Sequence, residues 1–173
     1  MGLIALFRWT LSVLQLRGTP AEAPHSTGLL VQLVLLDLIS SVIYLQAIGT
    51  EFTGLVLVGR TGLRLAVIYL TLRAFSQAPR FLQTSVTLYA VSALLTVIML
   101  PIASAVVRSP GEDPDVPTQF LQLGFLVMLL WSIVVDGHVF RHALGIGIWY
   151  ALALSMGLFI VYNEIAARIF PLP

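Results

Sequence analysis

Hydrophobic positions in this chain come in long unbroken runs, not in stripes. Five runs stand out: Leu29 to Ile48, Leu55 to Leu72, Thr84 to Val107, Phe120 to Val135 and Leu144 to Ile165. Each approaches the roughly 20 apolar residues that a helix needs to cross a hydrocarbon core. A barrel strand would alternate apolar and polar positions, so these runs predict helices. The connections carry turn chemistry. They are Gly49 to Gly54, the polar hairpin Ala74 to Phe81 with Pro79, and the long loop Arg108 to Thr118. That loop holds Pro110, Pro114 and Pro117 with Glu112, Asp113 and Asp115. A polar stretch from Asp136 to His142 reads as a short connection after the fourth span. Pro101 predicts a kink in the third.

The first segment, 1–17, reads differently. Arg8, Ser12, Gln15 and Thr19 recur at i, i+4, i+7 and i+11, with Leu3, Phe7, Trp9 and Leu14 elsewhere on the helix. This pattern predicts an amphipathic helix in the membrane interface, with Arg8 and Arg17 towards headgroups. The alternative is a short hydrophobic segment packing on the bundle. A cleaved signal is disfavoured. Arg8 breaks the apolar core, and Arg17, Gly18 and Pro20 separate it from Ala21-Glu22-Ala23. Gly2 lacks the Ser or Thr that myristoylation prefers.

Composition sharpens the class. The chain has 173 residues, 58% hydrophobic and only 10% charged, with a mean hydropathy of +0.98. A soluble domain carries about 25% charged residues. Too few polar groups exist to cover a water-facing surface, so the bilayer is the expected solvent. The fold class that follows is all-α, a polytopic membrane helical bundle in which residues 18–173 form the five-helix domain. A net charge of +1 gives nucleic-acid binding no support. The absence of cysteine excludes disulfides and thiolate chemistry.

All nine basic residues are arginine, a usage that suits a GC-rich bacterial genome. With the N-terminus inside, Arg8, Arg17, Arg73, Arg80 and Arg141 flank the cytoplasmic side, while Arg108 and Arg168 lie outside. The positive-inside bias therefore predicts a cytoplasmic N-terminus and a periplasmic C-terminus in a bacterial inner membrane.

Against this apolar background, Arg60 and Arg64 are the main anomaly. An arginine near the bilayer centre costs roughly 3 kcal/mol on insertion scales, so it faces protein or water. Asp37 is the expected partner. It lies eight residues into the first span, about 12 Å deep, and Arg64 lies ten residues from the same end of the antiparallel second span, about 15 Å. Ser40, Ser41 and Tyr44 extend the polar face of Asp37 at i+3, i+4 and i+7. Arg60 sits level with Tyr44. Three roles fit this cluster: a structural ion pair, an anion or headgroup site served by the surplus arginine, and a proton or ion path through Asp37.

Other clusters are weaker. Asp136, His138, Arg141 and His142 form a D-x-H-x3-H run that could ligate a metal. The Glu of H-E-x-x-H is missing, and the simpler reading is a solvated basic turn, so no metal and no cofactor is assigned. Asn163 and Glu164 read as an interfacial cap, with Arg168 at i+4. Gly145 and Gly147 read as small residues for close helix contact. Trp9, Trp149, Tyr150 and Tyr162 read as interface anchors. No paired intramembrane aspartates, Ser–Lys or Ser–His arrangement, or lipid-transferase signature emerges, so no catalytic residue is assigned.

The stretch from Leu16 to Ser26, Leu-Arg-Gly-Thr-Pro-Ala-Glu-Ala-Pro-His-Ser, leads into the first span. With the five-run layout, it resembles small five-span inner-membrane proteins of proteobacteria and, more faintly, Yip1-like proteins. The resemblance implies a bacterial membrane location and no chemistry. It covers only that lead-in and the hydropathy layout.

Two functions are expected. The first is a non-enzymatic accessory or assembly subunit, acting through helix contacts with a larger membrane complex. The second is a small transporter or channel-like protein that uses the Asp37, Arg60 and Arg64 cluster. A lipid-modifying enzyme is a weaker third. The expected partners are the lipid bilayer and another membrane protein or a second copy of the chain.

Overall fold

The computed structural model describes residues 2–107 and 116–171. The acidic loop residues Glu112, Asp113 and Asp115 lie outside them. Of the described residues 85% are helical, with no strand among them. Six α-helices follow one another: α1 (Leu3–Leu14), α2 (Thr27–Ala47), α3 (Gly54–Ala74), α4 (Phe81–Val107), α5 (Val116–Leu144) and α6 (Ile148–Ile169). The last five are long and apolar enough to cross a membrane, and this makes the chain a multi-pass membrane protein.

Local chemistry starts and stops these helices. Ser26 and Thr53 cap α2 and α3, their hydroxyls accepting from the amides of Leu29 and Val56. Gly49 and Gly145 take positive φ, +68° and +69°, where α2 and α5 end. The left-handed turn suits a residue without Cβ. A Cβ on Gly145 would meet nothing, so this glycine serves the turn and not a close helix contact. Gly147 is the N-cap residue of α6.

The fourth span is longer than its apolar run. Helix α5 continues through Asp136, His138, Arg141 and His142 to Leu144. The expected connection at 136–142 is therefore helix, and the true break is Gly145 to Gly147. The fifth span correspondingly starts at Ile148 and not at Leu144. Hydropathy falls where the polar side chains begin, but the backbone pattern of an α-helix does not depend on polarity. Helix α4 likewise runs on through Pro101.

Helix α4 is the central post. It packs against α1, α2, α3 and α5, and 50% of its apolar window is buried, against 11% for α6. Small side chains allow the close approach, with Thr84, Ser85, Thr87, Ala90 and Ala93 all buried. Helix α5 joins α4 to α6, and α3 leans on α2, α4 and α6.

One end of the bundle, here called basal, gathers residues 15–26, 75–80 and 145–147. Arg80 donates to the main-chain oxygens of His142 and Ala143, satisfying the last turn of α5. Gln83 donates to the oxygens of Ala21 and Ala23. His138 is buried, and its Nε2 lies 2.9 Å from the oxygen of Gly18. A carbonyl can only accept, so Nε2 carries the proton.

Helix α1 packs on α4 and α5, burying Trp9, Thr10, Val13 and Leu14 while Arg8 and Gln15 face outward. It ends at Leu14, and Thr19 lies beyond it, so the fourth member of the expected polar stripe is not helical. Trp9 was an expected interface anchor. It is instead a core residue whose Nε1 donates to the oxygen of Thr19. Ile4 and Phe7 face Leu33 and Leu36 of α2 and Ala93 and Val97 of α4 across an apolar groove of about 460 Å³.

Candidate functional site

Arg64 is the hub of a polar interior. Its Nη1 lies 3.9 Å from Asp37 Oδ2 and donates to Ser92 Oγ at 2.8 Å. Its guanidinium sits over the ring of Tyr89, 4.9 Å from the centroid. Such a stack contributes about 0.5–2 kcal/mol. Tyr89 is fully buried, and its hydroxyl donates to the oxygen of Thr61, one turn before Arg64. One arginine therefore joins α3 to α2 and α4 through a charge, a hydroxyl and a ring. The ion pair is long for a hydrogen-bonded contact, so the Ser92 bond fixes the side chain more tightly than the aspartate does.

Arg60 is held separately. Its Nε donates to the oxygen of Phe170 at 3.0 Å, and its own main-chain oxygen accepts from Tyr162 at 3.4 Å. Both bonds tie α3 to α6 and the residue that follows it. The carbonyl of Phe170 is a partial negative charge at a helix C-terminus, a favourable place for a cation. Tyr162 is thus an interior residue and not the interface anchor its aromatic character suggested. Trp149 and Tyr150 do project outward, with 80% and 78% of their surface exposed.

Two clefts flank Arg64. The first, about 350 Å³, is lined by Asp37, Ser41 and Tyr44 of α2, Arg60 of α3 and Met99 of α4, among others. The second, about 300 Å³, lies between α3, α4, α5 and α6. Arg64, Ser92, Thr96, Met99 and Tyr162 line both, so the two are neighbours across one wall. Ser40 does not join them. It is buried, and its hydroxyl bonds back to the oxygen of Leu36.

Asp136 lines the second cleft. Its charge and that of Arg64 act on each other, yet it makes no hydrogen bond or ion pair among the described residues. The interior therefore holds two carboxylates, Asp37 and Asp136, and two arginines. The single-carboxylate cluster expected from the sequence, with a surplus positive charge, is replaced by a formally balanced set. The residues expected at a solvated turn are split apart. Asp136 faces the cleft, His138 is buried against Gly18, His142 contacts His138 ring to ring at 4.6 Å, and Arg141 is exposed. No group of three potential metal ligands comes together among the described residues.

Sequence reasoning missed Ser92, Tyr89 and Asp136 as members of the site. One signal was available for Asp136: Ser132 and Asp136 stand at i and i+4, the spacing of one helix face. Glu164 and Arg168 pair as expected, at 3.4 Å and largely exposed, a contact that contributes little to stability. Asn163 donates to the oxygen of Phe159 and borders the second cleft. Compared with known proteins, the chain matches no protein-family model, no curated protein and no solved structure.

Proposed function

We propose that this chain is a non-enzymatic membrane protein that admits a small polar or charged solute between its helices, a transporter- or channel-like role. One observation carries the reading. Charged and hydroxyl side chains line two adjoining clefts, of about 350 and 300 Å³, at the level where the outer surface of the bundle is apolar. Intramembrane ionisable groups mark solute or ion pathways when they face such space, and the volumes reach the lower range of ligand pockets. In this reading the basal end, rich in arginine, lies at the cytoplasmic face of a bacterial inner membrane. Helix α1 leans into the same leaflet with Arg8 towards headgroups.

The chain has no cysteine, and this gives a clean test. Thr96 lines both clefts, whereas Val127 is 55% exposed on the outside of α5. In proteoliposomes, Thr96→Cys should react with a small charged thiol reagent and Val127→Cys should not, because the reagent travels only through water. Equal protection of both positions would mean that the clefts are dry, and the reading would fall.

The accessory-subunit reading stands second, on a different observation. Gly62 and Ala66 are exposed one turn apart on α3, and a Cβ on Gly62 would meet nothing. Small residues at this spacing let another helix approach closely. A stoichiometric membrane partner retained in mild detergent, and lost in Gly62→Leu, would favour it.

A further inference from the structure

We infer that the basal cavity between the start of α4 and the end of α5 binds a phosphate group, free or on a lipid, with Arg80, Thr84 and His142 as its donors. This site is separate from the two clefts and does not rest on the solute reading. The cavity measures about 200 Å³, and Thr19, Arg80, Gln83, Thr84 and His142 line it, among others. Arg80 is exposed, His142 is partly exposed and Thr84 is fully buried, so the donors run from the basal surface inwards.

Thr84 is the observation that calls for a ligand. Its Oγ1 is buried and has no hydrogen-bond partner among the described residues. Thr71 and Thr87 donate back to the oxygen four residues earlier, and Thr84 does not. A buried hydroxyl left unpaired is costly, so its proton requires an acceptor inside the cavity. Ser85 is also buried without a bond, but it does not line this cavity. Two further donors stand beside Thr84. Arg80 commits Nη1 to the oxygens of His142 and Ala143, while Nε and Nη2 make no bond among the described residues. The His142 ring touches His138 but has no hydrogen bond there. The other polar side chains are engaged. Gln83 uses its amide hydrogens on Ala21 and Ala23, and Thr19 its hydroxyl on Glu22. The side-chain acceptors left over, Gln83 Oε1 and the hydroxyl lone pairs, are neutral.

Charge selects an anion. No carboxylate lines the cavity, and Arg80 has no ion pair among the described residues. Beyond the lining, Glu22 and Arg141 act on His142 with opposite sign, which leaves Arg80 to set the sign of the site. Thr84 lies in the first turn of the 27-residue helix α4, whose N-terminal end is partially positive. The negative end of α5 is covered by Arg80 itself. Donors on two helices suit a ligand with several oxygens, and the guanidinium fork matches phosphate geometry. The cavity lies where the spanning helices end, the depth of lipid phosphates. Basic pockets between spanning helices on the cytoplasmic side hold such headgroups.

The test titrates the whole protein, washed free of lipid in a maltoside detergent, and reads heat of binding and melting temperature against empty micelles. The probes are inorganic phosphate, dihexanoyl-phosphatidylglycerol and dihexanoylglycerol, with chloride at matched ionic strength. At least one of the two phosphates should bind and raise the melting temperature; dihexanoylglycerol and chloride should not. Binding of inorganic phosphate supports the site as one for a free oxyanion, and binding of the phospholipid alone supports it as a headgroup site. Arg80→Gln should abolish binding, but it also uncaps α5, so Thr84→Val decides. It should weaken binding roughly tenfold or more. The unliganded variant should be at least as stable as the wild type, because the hydroxyl has no bond to lose. A large loss of stability there would show that the hydroxyl is already bonded, and would overturn the inference. Full binding to Thr84→Val would overturn it too, as would equal effects from dihexanoylglycerol or chloride, or no binding of either phosphate. None of these results bears on the reactivity of Thr96→Cys, so the solute reading stands or falls separately.

Discussion

Arg64 and Asp37 meet between α3 and α2 at 3.9 Å, with 25% and 11% of their side-chain surface exposed. Neither is at liberty to leave. Arg64 is also bonded to Ser92 and stacked on Tyr89, and among the described residues Asp37 has no other cation within ion-pair distance.

Neutralising one partner strands the other in a low-dielectric setting. Asp37→Asn should lower stability in detergent by about 1–3 kcal/mol, the cost of an orphaned buried polar group. Arg64→Gln should cost more, because it also removes the Ser92 bond and the ring contact. The double variant Asp37→Asn, Arg64→Gln should be more stable than the sum of the single losses implies. Thermal unfolding of the four proteins gives the coupling directly. Strict additivity would mean that the pair does not stabilise the fold.

The two basal histidines should behave unequally. His138 is buried and donates to Gly18, whereas His142 is partly exposed. His138→Ala should cost about 1–3 kcal/mol and loosen the 15–26 segment, with His142→Ala near neutral. Purified wild-type protein should carry no stoichiometric zinc. Equal effects from the two substitutions would contradict the assigned bond.

Gly59 lies under the Phe170 ring, and a Cβ there would overlap it. Gly59→Val should push Phe170 away and break the bond from Arg60 to the Phe170 oxygen. The expected readout is faster proteolysis or hydrogen exchange at the C-terminal end of α6, with the α2–α4 contact unaffected. Unchanged protection there would show that Phe170 relaxes without losing Arg60.

Orientation is open to a reporter test. A reporter active only in the periplasm should work after Glu112 and after Pro173. It should be silent after Gln77 and after Ile146, the break that ends α5. The reverse pattern would turn the bundle over and place the arginine-rich basal end outside.

Much of the fold was legible in the residues alone. Five apolar runs of bilayer length require helices, because no other single-segment structure satisfies its own backbone in hydrocarbon. Depth was legible too. A helix rises about 1.5 Å per residue, so counting from the span ends placed Asp37 and Arg64 at one level, and they do meet.

Rotation was not legible. In a soluble helix the polar stripe marks the water side, but lipid and bundle core are equally apolar, so sequence cannot say which face turns inward. Aromatic character alone therefore suggests an anchor at Tyr162, and polarity alone a turn at Asp136, although both line the second cleft. The sequence by itself determined that five long apolar helices form and that Asp37 and Arg64 lie at one level. Only tertiary packing decided that Asp136 joins them, that Tyr89 and Ser92 hold the arginine, and that space remains on either side of it.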